Sequence, residues 1–258
     1  MITATGNKRI KWLVSLGEKA RERKKEKAFL VEGGKMFEEA DEKYIREVYV
    51  SESYLEKNGI SKKLEKVGFE TVSDEVFKKI SDTKSPQGIL CVMKQYEYTL
   101  EELLDKDNPV FVLLEDIQDP GNLGTILRTG EGAGIDGVIM TKDTVDIYNP
   151  KTIRATMGSI YRVPFLYVES METVIGKLKE KGIAVYAAHL NGENYYDSFD
   201  FTKGSAFLIG NEGNGLKKET ADLADSYLKI PMEGKVESLN AAIATSLLMY
   251  ETYRQRRQ

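Results

Sequence analysis

Apolar and polar positions along the chain fall into two series of alternating strand-like and helical segments. In the first series the spacing predicts a basic helix over Asn7–Glu26 and a strand over Ala28–Val31. A helix over Gly33–Ala40, a strand over Val48–Val50 and a helix over Tyr54–Val67 follow. Phe69–Val72 reads as extended and Asp74–Ile80 as helical. Gly88–Met93 reads as a strand entered through the turn Ser85-Pro86-Gln87-Gly88. This is the pattern of a compact α/β unit. The stretch Glu97–Asn108 is polar and acidic, carries no strong strand signal, and reads as a linker with room for one helical turn.

The second series begins with the uninterrupted apolar run Val110–Leu114, the signature of a strand buried on both faces. Helices are predicted over Gly121–Ala133, Lys151–Met157, Met171–Lys181, Leu216–Leu223 and Leu239–Arg254. Strands are predicted at Val138–Met140, Phe165–Val168, Ala184–Ala188, Ala206–Ile209 and Tyr227–Ile230. Strands alternating with helices imply a mostly parallel sheet covered on both faces. The expected organisation is a small domain over 1–97, a linker over 98–108 and a larger α/β domain over 109–258.

Composition narrows the chemistry. With 41% apolar residues, 258 residues suffice for packed cores. Cys91 is the only cysteine and His189 the only histidine, so a disulfide framework and Cys- or His-rich metal sites are excluded and no metal is expected. His189, after the apolar run Ile183–Ala188, reads as an ordinary strand-end residue. The chain lacks the apolar run of a signal peptide and any stretch near the ~20 apolar residues of a membrane span, so the expectation is a soluble cytoplasmic protein without membrane partners. The net charge is −4, yet Lys8, Arg9, Lys11, Lys19, Arg21, Arg23, Lys24, Lys25 and Lys27 crowd the first helix. A polyanion responds to such a local patch. A solvated helix with ion pairs such as Glu18–Arg21 or Glu22–Lys25 accounts for the same charges, and charge alone leaves both readings open.

Three segments of the second series carry candidate chemistry. Asp119-Pro120-Gly121-Asn122 lies past a strand and before a helix, where α/β sheets present ligand sites. Six residues on, Arg128 stands on a helix rich in Leu, Ile, Ala and Gly. Its guanidinium either matches a phosphate with paired donors or makes a structural ion pair. Phe207–Leu216, FLIGNEGNGL, sets Glu212 among Gly210, Gly213 and Gly215. The gap between the first two glycines is wrong for a dinucleotide fingerprint, which removes support for an oxidoreductase. Ile230–Glu251 joins a Pro-Met-x-Gly loop to a small-residue helix, with Ser238 as the candidate N-cap.

Together these patterns, N-x-G-x-x-x-R at Asn122–Arg128, G-x-E-x-x-G at Gly210–Gly215 and P-M-x-G-x-x-x-S-L-N at Pro231–Asn240, resemble the SpoU (TrmH-type) class of RNA ribose 2′-O-methyltransferases in the SPOUT superfamily. Phe29–Gly33 and Ser85–Gly88 resemble the L30e-like substrate-binding domain that often precedes it. The resemblance implies a C-terminal α/β trefoil-knot domain with a mostly parallel sheet, S-adenosyl-L-methionine as cofactor, and a homodimer. Gly210, Ile230, Met232, Ser238 and Leu239 would hold the cofactor. Arg128 would act at the 2′-hydroxyl, with Asn122, Glu212, Ser238 and Asn240 ordering the loops. Lys8, Arg9, Lys11, Arg21, Arg23 and Arg128 would meet RNA, ribosomal RNA ahead of transfer RNA. Rival readings are a base methyltransferase on the same knot and a non-catalytic RNA-binding protein that kept the scaffold.

Overall fold

A computed structural model describes residues 1–257. The chain forms two compact units: Met1–Tyr96 with Asp146–Tyr161, and Glu97–Val145 with Arg162–Gln258.

The first unit is built on four strands, β1 (Ala28–Glu32), β2 (Ile45–Ser51), β3 (Glu70–Val72) and β4 (Ile89–Lys94), in the order β1-β4-β2-β3. β4 is antiparallel to both β1 and β2, and β2 is parallel to β3. The basic segment predicted as one helix is two, Lys8–Glu18 and Ala20–Glu26, because Lys19 is extended. The break leaves carbonyls of the first helix without donors one turn on. Arg23 supplies them, its Nη1 donating to Leu16 O at 2.9 Å and Gly17 O at 2.8 Å. The helix predicted over Tyr54–Val67 is likewise split at Gly59, whose φ of 69° ends the first piece. Ser61 restarts the second by accepting a hydrogen bond from Leu64 N.

Residues 146–161, assigned from sequence to the larger domain, belong to this unit. Tyr148 packs its ring 4.6 Å from that of Phe29 and accepts a hydrogen bond from Tyr96 N. Asp146 pairs with Arg23 at 2.7 Å. Tyr161 donates to Met36 O.

The second unit has a seven-stranded parallel sheet of β5 (Val110–Leu114), β6 (Gly137–Thr141), β7 (Phe165–Val168), β8 (Ala184–Ala188), β9 (Asn194–Tyr195), β10 (Ser205–Ile209) and β11 (Ser226–Lys229). Its order is β7-β6-β5-β10-β8-β11-β9. β5 and β10 lie side by side at the centre with every residue buried, as their apolar runs require. The expected linker is different in the structure. Thr99 and Glu102 form a capping box that starts a helix over Leu100–Leu104, and Leu100, Leu103 and Leu104 join the core with Met171, Val174, Ile175 and Leu178. Polar residues between those leucines masked a period that a single helical turn is enough to bury.

The C-terminal helix, Ala241–Arg256, packs on the helix Pro120–Ala133. Glycine permits the approach: a Cβ on Gly132 would stand 3.0 Å from the Tyr250 hydroxyl. Arg256 fixes the far end of the last helix by donating to the carbonyls of Phe201, Asn108 and Lys203. Among the described residues no helix is long and apolar enough to cross a membrane.

Candidate cofactor and catalytic site

The loops that leave the carboxyl ends of β5 and β10 meet at the centre of the sheet, where the chain switches direction. After β10 the chain closes a tight loop. Asn211 and Gly215 exchange two backbone hydrogen bonds. Asn211 Oδ1 accepts from Gly213 N at 2.9 Å and Asn214 N at 3.0 Å. A Cβ on Gly210 would lie 2.2 Å from the backbone of Gly215, and Gly215 itself has a φ of +68°. Both positions therefore demand glycine.

This loop aims Glu212 at the start of the helix Pro120–Ala133. Its carboxylate accepts from Gln118 N at 3.0 Å, Asp119 N at 3.0 Å and Asn122 Nδ2 at 2.9 Å. Desolvation pushes the Glu212 carboxyl up, but the Asn122 amide and the two backbone donors outweigh it and hold the group below the ordinary glutamate value. Asp119 caps the helix through Asn122 N, with Pro120 in the first turn. Asn122 Oδ1 then accepts from Asn240 Nδ2 at 2.9 Å. Asn240 Oδ1 accepts in turn from Ala242 N at 2.9 Å and Ile243 N at 3.3 Å. Glu212, Asn122 and Asn240 thus form one relay from the glycine loop through the β5 loop to the last helix.

Asn240, not Ser238, is the N-cap. The helix begins at Ala241, and Ser238 lies exposed two residues ahead of the cap. Asparagine takes the position because its amide both accepts from the helix and donates to Asn122, which a serine hydroxyl at 238 does not reach. Asp119 and Asn211, which shape the two loops, were not singled out as site residues. The Asp-Pro pair at a helix start carried that signal for Asp119.

Beside the relay lies a cavity of about 640 Å³. Its walls include Gly210, Ile230, Met232, Ser238 and Leu239, so five residues from three separate segments share one space. The size falls in the range of roughly 300–1,000 Å³ typical of small-molecule sites. Apolar Ile230, Met232 and Leu239 alternate with loop backbone, which suits a ligand with a flat heteroaromatic ring and polar substituents. His189 and Asn191, at the end of β8, also line it.

Arg128 stands on the helix that Asn122 opens. It is exposed, and among the described residues its side chain makes no hydrogen bond or ion pair. Among the described residues the structural ion pair left open by the sequence is therefore not made.

The first unit separates the candidate RNA cations. Lys8, Lys11 and Arg21 are exposed, without an ion pair among the described residues. Arg9 is exposed but pairs with Glu47 at 2.9 Å. Arg23, expected from sequence to meet RNA, does not face solvent: it is 3% exposed and spends its guanidinium on Asp146, Leu16 O and Gly17 O. A charge buried and satisfied in this way holds the fold and is not offered to a polyanion. Of the two predicted ion pairs, Glu22–Lys25 forms, at 3.1 Å; Glu18–Arg21 spans the break at Lys19 and does not form among the described residues. Gly33 and Ser85–Gly88 come together where Glu32 accepts from Gln87 N, Ser81 Oγ and Thr83 Oγ1.

Residues 109–250 match the model of the SpoU rRNA methylase family, and residues 7–91 that of the MRM3-like substrate binding domain. The chain is 32% identical over 253 residues to the 23S rRNA (guanosine(2553)-2′-O)-methyltransferase RlmP of Bacillus subtilis, covering 96% of this chain and 97% of that one. It resembles the AdoMet-bound rRNA methyltransferase of Sinorhizobium meliloti with a TM-score of 0.87 at 31% identity, covering 98% and 97% of the two chains. The SpoU methyltransferase AviRb of Streptomyces viridochromogenes, in complex with AdoMet, superposes with a TM-score of 0.87 at 26% identity, covering 98% and 99%.

Proposed function

The chain belongs to the SpoU rRNA methylase family, and we propose from that membership that it transfers the methyl group of S-adenosyl-L-methionine to a ribose 2′-hydroxyl of ribosomal RNA. The observation that carries the reading is the relay Glu212–Asn122–Asn240, which ties the cavity wall to the helix bearing Arg128, exposed and without a partner among the described residues.

S-adenosyl-L-methionine, when bound, supplies an electrophilic methyl group on a sulfonium. With such a donor held by Gly210, Ile230, Met232, Ser238 and Leu239, the 2′-hydroxyl would need to be placed in line and its proton accepted. The cavity walls Ile230, Met232 and Leu239 suit the adenine ring, and the backbone at Gly210 and Ser238 suits its polar edge. The protein's remaining work is to hold the ribose in line and to manage charge. Arginine is a donor only and does not take up a proton in a protein. Arg128 is therefore assigned to grip an RNA phosphate and stabilise the developing alkoxide, with a phosphate oxygen or water accepting the proton. Asn122, Glu212 and Asn240 are positioning residues for that helix, and Ser238 contributes only as cavity wall.

The first unit, with exposed Lys8, Lys11 and Arg21, is proposed to hold the RNA, and matching relatives support ribosomal RNA. Family membership likewise supports a trefoil knot around the cavity loops and a cytoplasmic place of action. A homodimer is supported by exposed Ile243, Leu247, Tyr250 and Tyr253 on the last helix, whose i, i+4, i+7, i+10 spacing makes one stripe. Leu247→Glu is then expected to yield monomers in sedimentation.

The decisive assay is transfer of a labelled methyl group to ribosomal RNA, with nuclease digestion and mass spectrometry to place it on ribose. Arg128→Ala is expected to lose transfer while S-adenosyl-L-methionine binding stays within about 2-fold. Transfer at the parent rate, or a methylated base, overturns the assignment.

A further inference from the structure

His189 reads from sequence as an ordinary strand end, yet it stands in the wall of the cavity beside the relay. Its ring is held from two sides. Nδ1 accepts from Asn191 N at 3.1 Å, and the ring lies 4.9 Å from that of Tyr227 at an interplanar angle of 37°. Tyr227 is itself fixed, its hydroxyl donating to Asp222 at 2.5 Å. An accepting Nδ1 sets the neutral tautomer with its proton on Nε2. Among the described residues Nε2 makes no hydrogen bond, and the ring's other polar neighbour is the Asp222 carboxylate, on which it acts through charge alone. The half-buried ring therefore presents one oriented donor to a space walled by apolar Ile230, Met232 and Leu239 and by polar side chains that include Lys229 and Glu237.

We infer that His189 is a cofactor-contacting residue whose Nε2–H donates to an oxygen of bound S-adenosyl-L-methionine, on the ribose or the carboxylate. Asn191 serves as its positioning partner through the backbone. The inference rests on the proposed cofactor. Its two acceptors share one chemistry and are separated by 5′-methylthioadenosine, which keeps the ribose and lacks the carboxylate.

The test is calorimetric binding of S-adenosyl-L-methionine and of 5′-methylthioadenosine to the full-length parent, His189→Phe and His189→Gln, each first checked by thermal melting. Phenylalanine keeps a ring against Tyr227 but has no donor. Glutamine gives up the ring and returns an N–H near the Nε2 position. The Phe variant is expected to bind S-adenosyl-L-methionine about 3- to 10-fold more weakly, as for loss of one neutral hydrogen bond, and the Gln variant to stay within about 2-fold of the parent. The same loss with 5′-methylthioadenosine assigns the acceptor to the ribose; loss confined to S-adenosyl-L-methionine assigns it to the carboxylate. Unchanged affinity in the Phe variant for both ligands overturns the inference. So does the reverse order, Gln weaker than Phe, which would make the ring's stacking its whole role. A folded parent that binds neither ligand overturns the cofactor reading beneath it. Because His189 is the only histidine, one pair of imidazole nitrogen resonances reports its tautomer. A proton on Nδ1 in the bound state would also overturn it.

Discussion

Asn240 performs two tasks with one amide, and substitutions separate them. Its Oδ1 caps the last helix at 2.9 and 3.3 Å, and its Nδ2 holds Asn122 Oδ1 at 2.9 Å. Asn240→Ala removes both. Loss of a cap costs about 1 kcal/mol, and loss of a neutral hydrogen bond costs about 1 kcal/mol more. Together they lower Tm by roughly 4–8 °C at the scale of about 2–4 °C per kcal/mol for a chain of this size. Asn240→Asp keeps an acceptor for the helix and adds about 0.3–1 kcal/mol from a negative charge at its N-terminus. It cannot donate to Asn122, whose own amide nitrogen is already held by Glu212, so an amide flip at Asn122 offers no relief. The Asp variant should therefore melt near the parent, yet lose most methyl transfer because the relay to the Arg128 helix is cut. Differential scanning calorimetry and labelled methyl transfer to RNA read the two effects separately. Equal destabilisation by Ala and Asp would refute the cap, and parent activity in the Asp variant would refute the relay. The double substitution Asn122→Ala/Asn240→Ala should show a coupling of about 0.5–1.5 kcal/mol.

Arg23→Met should destabilise the protein by about 2–3 kcal/mol, less than a fully buried pair because Asp146 is partly exposed, as measured by chemical denaturation. Arg23→Lys should not rescue it, since one ammonium cannot reproduce the fork that meets Asp146 and two carbonyls. Lys8→Ala/Lys11→Ala should leave stability unchanged and reduce the magnitude of the salt slope of RNA binding by about 1.5, at roughly 0.7–0.9 per phosphate contact; an unchanged slope would remove these lysines from the RNA surface. Glu212 has its carboxyl lowered in the folded state, so its contribution is complete above the unfolded glutamate value and is lost as pH falls through the lowered one. Acid titration of stability should accordingly show a component that Glu212→Gln abolishes; identical acid profiles would place the linkage elsewhere.

What was legible in the sequence was whatever burial and loop chemistry write locally. The run Val110–Leu114 announced a strand covered on both faces, and β5 is the fully buried neighbour of β10. Gly210 stood out as a tight-loop residue, and the structure leaves no room for a Cβ there; Asn122 and Glu212 stood out through the motifs they belong to, and they share a hydrogen bond. Three features depended on distant partners. Lys19 breaks a helix whose charge pattern is continuous, and the freed carbonyls are met by Arg23 several residues on. Ser238 resembles a cap as well as Asn240 does, and only Asn122, over a hundred positions away, distinguishes them. His189 looked ordinary because a single histidine has no spacing to read; its meaning comes from the β11 residue Tyr227 beside it.

The excursion of residues 146–161 into the first unit has an evolutionary consequence. Those residues lie inside the stretch that matches the methylase family, while their contacts are to the unit that matches the substrate-binding domain. A recombination event that exchanged only the amino-terminal segment would graft a new recognition module onto an inherited Asp146 and Tyr148. The incoming module would have to bring its own counterparts to Arg23, Phe29 and Tyr96. Substitutions on the exposed surface of this unit leave that packing intact, whereas exchange of the segment as a whole would not.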